Sequence, residues 1–228
     1  MSLLVIEGID GAGKSTQIKY LRDFFSEKGY ECEYMHFPRP DAPYFGELIS
    51  RFLRGEYGAV SEVDPYIVAM LYAGDRKDAS GIIKAWLNEG KTVLLDRYTY
   101  SNIAYQCAKL KDEKGQQDLM RWILSLEFED FSIPRPDLNI FLDVPFEFTA
   151  KKLSASRTGD DRAYLNGTSD IHEESLQFQK NVRDIYSNVA QSDERLAIIN
   201  CSSANGSMLS PGEIFRRIME LLTDKKLI

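Results

Sequence analysis

Apolar residues along this chain fall into two alternating kinds of segment. Five short runs, Leu3–Glu7, Cys32–Phe37, Thr92–Asp96, Leu138–Val144 and Ala197–Asn200, are mostly continuous in apolar character. Such runs predict strands buried on both faces, as in a parallel sheet covered by helices. Longer segments with helical spacing separate them. Lys14–Lys28 places Ile18, Leu21 and Phe25 on one face and stops at Gly29. Asp64–Asn88 reads as one long helix or two shorter ones, ending near Gly90. Gln116–Phe128, Phe146–Ser156, Ile171–Ala190 and Pro211–Thr223 complete the helical set. Pro211 stands where a first-turn proline is tolerated. Strand and helix alternate throughout, which predicts an α/β, doubly wound class.

Composition narrows the partners. The 228 residues suit one domain, 1–228, with a sizeable core. A net charge of -7 disfavours a global grip on nucleic acid, which needs a basic surface. Cys32, Cys107 and Cys201 are odd in number, far apart and outside C-x-x-C spacing. Reduced thiols in a cytoplasmic protein are therefore expected, with neither a disulfide framework nor a structural zinc site. No apolar run reaches the ~20 residues of a membrane span, and Ser2–Ile6 lacks the basic leader and cleavage site of a signal peptide.

One segment carries explicit chemistry. Gly8-Ile9-Asp10-Gly11-Ala12-Gly13-Lys14-Ser15 fits G-x-x-x-x-G-K-S/T and lies between a predicted strand and a predicted helix. Glycines let backbone N–H groups curl around phosphate oxygens where a Cβ would obstruct. The following helix, through Thr16 and beyond, points its positive end at the same anion. Lys14 supplies a cation for the β- and γ-phosphates of a nucleotide, and Ser15 a hydroxyl ligand for Mg²⁺. A guanine reader of the N-K-x-D kind has no counterpart, since Asn200-Cys201-Ser202-Ser203 lacks both the lysine and the aspartate.

A second constellation is Val93-Leu94-Leu95-Asp96-Arg97-Tyr98-Thr99-Tyr100-Ser101-Asn102-Ile103-Ala104-Tyr105-Gln106. An apolar strand ending in Asp96 puts a carboxylate at the C-terminal edge of the sheet, where open α/β sheets bind ligands. Asp96 could hold Mg²⁺ directly or through water, and Arg97 could bridge donor and acceptor phosphates. Read alone, the pair is an ordinary strand end with a surface ion pair; beside a phosphate loop the functional reading takes precedence.

Asp96-Arg97-Tyr98 followed by Ser101-x-x-Ala104-Tyr105-Gln106 resembles the signature of thymidylate kinases. The phosphate loop from Glu7 to Thr16, His36-Phe37-Pro38-Arg39, Leu71–Arg76 and Asp170-Ile171-His172-Glu173 resemble that family's other motifs, in the same order. The resemblance implies a three-layer P-loop kinase fold, with a five-stranded parallel sheet, helices on both faces and a small lid. It implies ATP as donor, thymidylate (dTMP) as acceptor, Mg²⁺ as cofactor and a two-fold homodimer. By the same resemblance Tyr72 stacks on the base and Arg76 donates to a base carbonyl. Ser101 and Gln106 sit near the base edge, with Phe37 packing beside it. Tyr105 crowds the sugar, Asp10 meets the 3′-hydroxyl end, and Arg39 and Arg97 hold the acceptor phosphate. Pro40-Asp41-Ala42-Pro43 after Arg39 departs from many members.

The resemblance places the lid at about 156–169, a polar, glycine-containing stretch between two predicted helices, with Arg157 and Arg162 as its candidate cations. The alternative is a solvated loop in which they pair with Asp160 and Asp161. Gly11 stands where some members carry a phosphate-loop arginine, so the lid should supply the transition-state charge. Two rivals remain. Deoxynucleoside kinases share the phosphate loop but typically show Glu-Arg-Ser where this chain has Asp96-Arg97-Tyr98. A nucleotide-binding switch would need the absent guanine reader.

Overall fold

The computed structural model describes residues 2–154 and 176–228. Strands β1 (Leu3–Glu7), β2 (Cys32–His36), β3 (Thr92–Asp96), β4 (Leu138–Asp143) and β5 (Leu196–Asn200) form one all-parallel sheet ordered β2-β3-β1-β4-β5. The predicted strand starts and ends agree to within one residue. The inner three match the expected burial on both faces. Leu4, Ile6 and Leu94 pack into one layer, while Leu3, Val5, Val93 and Leu95 pack into the other. The outer two differ. β2 is only half-buried, and Ile198 of β5 is exposed, because an edge strand has one sheet neighbour.

Helices α1 (Lys14–Glu27), α3 (Pro65–Asn88), α6 (Phe146–Ser154), α7 (Leu176–Ser192) and α8 (Pro211–Asp224) fall where periodicity places helices. Asp64–Asn88 resolves as one helix, α3, with the Asp64 carboxylate capping the Tyr66 N–H and Pro65 in its first turn. α8 begins with a reciprocal cap between Ser210 and Glu213, followed by Pro211. α5 (Glu113–Ser125) starts three residues before the predicted Gln116. Asp112 caps it through the Gly115 N–H at 2.7 Å. It runs into a π-helical turn, Leu126–Asp130.

Two helices are absent from the periodicity reading. α2 (Phe45–Leu53) follows directly on the proline-rich Pro38–Pro43 segment. α4 (Thr99–Cys107) has all nine residues buried, so it shows no polar face against which a period could be read.

α2 docks against α3 through a missing side chain. A Cβ built on Gly74 would fall 2.2 Å from Phe45 Cε1. Alanine normally gains up to ~1 kcal/mol over glycine inside a helix. Here the ring must move first. We expect Gly74→Ala to destabilise the protein by about 1–3 kcal/mol in urea unfolding, and Phe45→Leu to recover part of the loss. Unchanged stability in Gly74→Ala would contradict this packing.

The parallel register brings the strand ends to one edge. His36 pairs with Asp96, Ile6 with Asp96, Glu7 with Phe141, and Asp143 with Asn200. β1 lies between β3 and β4, so the sheet order reverses direction at the loop that follows it. That is where open α/β sheets leave a crevice for ligands.

Candidate active site

β1 ends at Glu7, and the chain turns through Gly8–Gly13 into α1. Gly11 and Gly13 have φ of 80° and 85°, a region that disfavours side chains. Gly13 caps α1 without any side-chain acceptor, so the helix start is open toward the crevice. Ser15 and Thr16 are exposed there, whereas Lys14 is buried. Lys14 Nζ lies 3.4 Å from the Gly8 carbonyl. Burial and the Arg97 charge pull the Lys14 pKa down, against the opposing pull of Asp96, Asp10 and Glu7. The resulting loop is an anion cradle with one poorly hydrated cation inside it.

β3 brings Asp96 and Arg97 to the same edge. Asp96 Oδ2 lies 3.3 Å from His36 Nδ1, and its Oδ1 is buried without a hydrogen-bond partner. Burial pushes the Asp96 pKa up, but Lys14, His36 and Arg97 outweigh it and hold the carboxylate charged. Arg97 sits at φ 67°, sparsely populated for a side chain this large. That backbone aims its guanidinium inward. Nη2 donates to Asp10 Oδ1 at 2.7 Å and to the Tyr105 hydroxyl at 3.2 Å, and Nη1 donates to Ser101 Oγ at 3.2 Å. Tyr105 donates to Asp10 Oδ2 at 2.7 Å, and Gln179 Nε2 does so at 3.1 Å. Burial alone would lower the Arg97 pKa; the oxygens of Tyr105, Asp10, Tyr186 and Asp96 overcome it and keep the guanidinium protonated.

The acceptor-side residues divide into three sets. Asp10, Arg97, Ser101 and Tyr105 form the connected cluster just described. Ser101 is turned further inward than expected for a base-edge group, because its hydroxyl also contacts Glu7 and Tyr186. Arg76 belongs to a second, fully buried set. It forms a fork on Glu127, with Nε and Nη2 each 2.6 Å from a carboxylate oxygen. Arg39 is held apart from Arg97. Its backbone N–H, Nε and Nη2 bond Asp75, and Nη2 also reaches Asp78 Oδ2 at 2.6 Å. Phe37 is buried, with its ring 5.7 Å from that of Tyr98. Tyr72 is half-buried beside the Ile49, Phe52, Leu53 and Val68 cluster. Gln106 is buried, and neither of its amide atoms has a hydrogen-bond partner. Arg157, Arg162 and the 156–169 segment lie outside the described residues.

Glu7, Asn102, Glu127, Gln179 and Tyr186 have no role in the sequence reading. Glu7 is fully buried and accepts from the Tyr98 N–H at 3.0 Å and the Tyr186 hydroxyl at 2.9 Å. Burial raises its pKa, partly offset by Ser101, Arg97, Tyr186 and the Tyr98 N–H. An acid closing an otherwise apolar strand was the available signal. Asn102, Glu127 and Gln179 meet the site only through tertiary contacts. Asn102 Nδ2 donates to the Ala69 carbonyl and to Glu127 Oε1, both at 3.0 Å, leaving its buried Oδ1 without a hydrogen-bond partner.

This arrangement can bind two phosphate groups side by side. The cradle and Lys14 take one, Arg97 can face the other, and a wall of α3 and α4 side chains can receive a planar base. Among the described residues, no three His, Cys, Asp or Glu side chains cluster as a ready-made metal cage.

Comparisons with known proteins point to one family. The thymidylate kinase family model matches residues 6–207. A probable thymidylate kinase of Pyrococcus horikoshii is 34% identical over 203 residues, covering 88% of each chain. Thymidylate kinase of Mycobacterium tuberculosis is 30% identical over 82% of this chain and 85% of its own. The solved structure of thymidylate kinase from Candida albicans superposes with a TM-score of 0.74 at 26% identity, covering 99% of this chain and 92% of that one.

Proposed function

Because the chain belongs to the thymidylate kinase family, we propose that it transfers the γ-phosphoryl group of ATP to dTMP, giving dTDP and ADP for dTTP biosynthesis. The observation that carries this reading is the junction of the phosphate loop with the end of β3. There Asp10 of the loop is bonded to both Arg97 and Tyr105. One residue thus ties the donor cradle to the acceptor wall.

The roles follow from chemistry. Transfer passes through a loose transition state whose charge spreads over the γ-phosphoryl oxygens, so positioned cations do most of the work. Gly8, Gly11, Ala12, Gly13, Ser15 and Thr16 line the cradle by backbone and hydroxyl donors. Lys14 neutralises the donor phosphates, and Arg97, once engaged by substrate, holds the acceptor phosphate. The acceptor oxygen is already anionic, so no general base is assigned. Tyr72 supplies a stacking face worth ~1–3 kcal/mol per base. Arg76 and Gln106 supply polar contacts to the base, Ser101 and Phe37 support its edge, and Tyr105 leaves little room for a 2′-hydroxyl. Arg39 joins the acceptor phosphate only if it leaves Asp75. Arg157 and Arg162 are assigned to the γ-phosphoryl on sequence grounds.

Magnesium fits this edge. Asp96 Oδ1 is a buried carboxylate oxygen without a hydrogen-bond partner, and Ser15 offers an exposed hydroxyl near the helix start. These two would hold the ion, which neutralises phosphate charge when bound. A single domain is consistent with the one sheet that organises the described residues. A homodimer is supported by the exposed apolar face of α3, Ile67 and Met70. Three free thiols suit a reducing, cytoplasmic setting. No described helix is long and apolar enough to cross a membrane.

The test is a panel of acceptors with Mg-ATP: dTMP, dUMP, UMP, dCMP, AMP, GMP and thymidine, with both products quantified. We expect dTDP to dominate. Preference for thymidine or a purine monophosphate would overturn the base-site assignment while leaving the phosphate machinery intact.

A further inference from the structure

The π-helical turn Leu126–Asp130 presents one fully buried carboxylate, Glu127, to two different helices. Such turns are rare and concentrate at functional sites. Glu127 Oε2 accepts from Arg76 Nε at 2.6 Å and from Thr99 Oγ1 at 2.9 Å. Its Oε1 accepts from Arg76 Nη2 at 2.6 Å and from Asn102 Nδ2 at 3.0 Å. Four donors on one carboxylate leave it no freedom to turn.

The consequence lies in what its partners are forced to show. The fork occupies Nε and Nη2 of Arg76, so Nη1 is the donor edge left outside it. Asn102 cannot flip, because both partners of its Nδ2, the Ala69 carbonyl and Glu127, are acceptors. Its Oδ1 is therefore fixed as a buried acceptor without a hydrogen-bond partner. α3 and α4 then offer one oriented donor and one oriented acceptor. Both orientations are imposed by a residue that need not touch the ligand.

We propose that Glu127 is a positioning residue that sets which pyrimidine the acceptor site takes. A pyrimidine with a 4-oxo group beside N3–H presents an acceptor and a donor, the complement of Arg76 Nη1 and Asn102 Oδ1. A 4-amino pyrimidine presents a donor beside an unprotonated N3, which meets both groups with the wrong sign. Sites built on oriented hydrogen-bonding groups reject the mismatched analogue strongly, because buried polar groups are left unpaired. The inference rests on the reading that both Arg76 Nη1 and Asn102 Oδ1 face the acceptor base.

Glu127→Gln tests it with little change in volume. The new amide brings a donor into a nest of donors, so one arm of the Arg76 fork is lost and the guanidinium is no longer held in a single orientation, while the amide no longer fixes Asn102 from both sides. The expected result is a fall of about 30-fold in the dTMP to dCMP ratio of kcat/KM, carried by KM for dTMP, with KM for ATP unchanged. Glu127→Asp keeps the charge and should recover part of the ratio. An unchanged ratio, or equal losses for dTMP, dCMP and ATP, would mean that Glu127 only holds the fold. If Glu127→Gln does not fold by circular dichroism, Thr99→Val decides. It removes one of the four donors, and a drop of about threefold in the same ratio is expected; no drop overturns the proposal. A wild-type enzyme that shows no preference for dTMP over dCMP would instead defeat the base-site reading itself.

Discussion

Replacing Lys14 with methionine should lower phosphoryl transfer about 10³-fold or more while leaving dTMP affinity within a few-fold. The expectation follows from where the charge sits. Lys14 is buried at the mouth of α1, and its ammonium has one hydrogen-bond acceptor, the Gly8 carbonyl at 3.4 Å. It is therefore poorly solvated before substrate arrives and is repaid by phosphate oxygens, most of all when charge spreads in the transition state. Methionine matches the length of the stem and keeps the packing, so the variant isolates the charge. The pH dependence has a defined sign. Burial and Arg97 lower the Lys14 pKa, so activity should fade on the alkaline side below the ordinary lysine value. Single-turnover rates with saturating Mg-ATP, set beside calorimetric dTMP binding, check the first statement; the pH profile of kcat/KM for Mg-ATP, which reports the free enzyme, checks the second. A loss under tenfold, or a matching loss of dTMP affinity, would remove Lys14 from the transition state.

Lys109→Met should raise the stability of the protein, by about 1–3 kcal/mol near pH 7. Lys109 lies just beyond the end of α4. Its Nζ is buried with no hydrogen-bond partner and sits 4.8 Å from the centroid of the Phe52 ring. Burial pushes its pKa down to about 7, against a weaker upward pull from Asp64. The folded value is thus below the unfolded one, and the fold prefers the neutral amine. As pH falls from the ordinary lysine range toward 7, the unfolded chain takes up a proton that the folded chain refuses, and stability declines. Below about 7 both states are charged and the full cost, roughly 3–5 kcal/mol at most, is present. Methionine removes it, so its advantage should be largest below pH 7 and shrink toward pH 10. At ~2–4 °C in Tm per kcal/mol for a chain of this size, scanning calorimetry across that range resolves the difference. Parallel pH profiles for the two proteins would refute it.

The local parts of this molecule were legible, and the pairings were not. β1 and β3 appear in the sequence with their exact ends because each is an apolar run closed by an acid, Glu7 or Asp96. The phosphate loop was equally plain, since glycines at positive φ and a helix-start lysine are local requirements. α4 was hidden because burial on every side erases periodicity. Arg76 read as a group facing the base, yet the carboxylate that orients it lies 51 residues away in a π-helical turn with no local signature. Gln179 reaches Asp10 across 169 residues, and Tyr186 reaches Glu7 across 179. Nothing in spacing or propensity encodes such meetings; they follow from the order of the strands.

The burial of α4 has a mechanical meaning. A helix with a wet side can roll or slide by trading solvent contacts for new packing, in the manner of shear motions between layers. α4 has no such side, and close packing on every face resists sub-ångström displacement. The helix that carries Ser101, Asn102, Tyr105 and Gln106 therefore acts as an anvil. If the proposed acceptor site is right, the acceptor meets a wall that does not yield, and rearrangement on binding falls to elements other than α4.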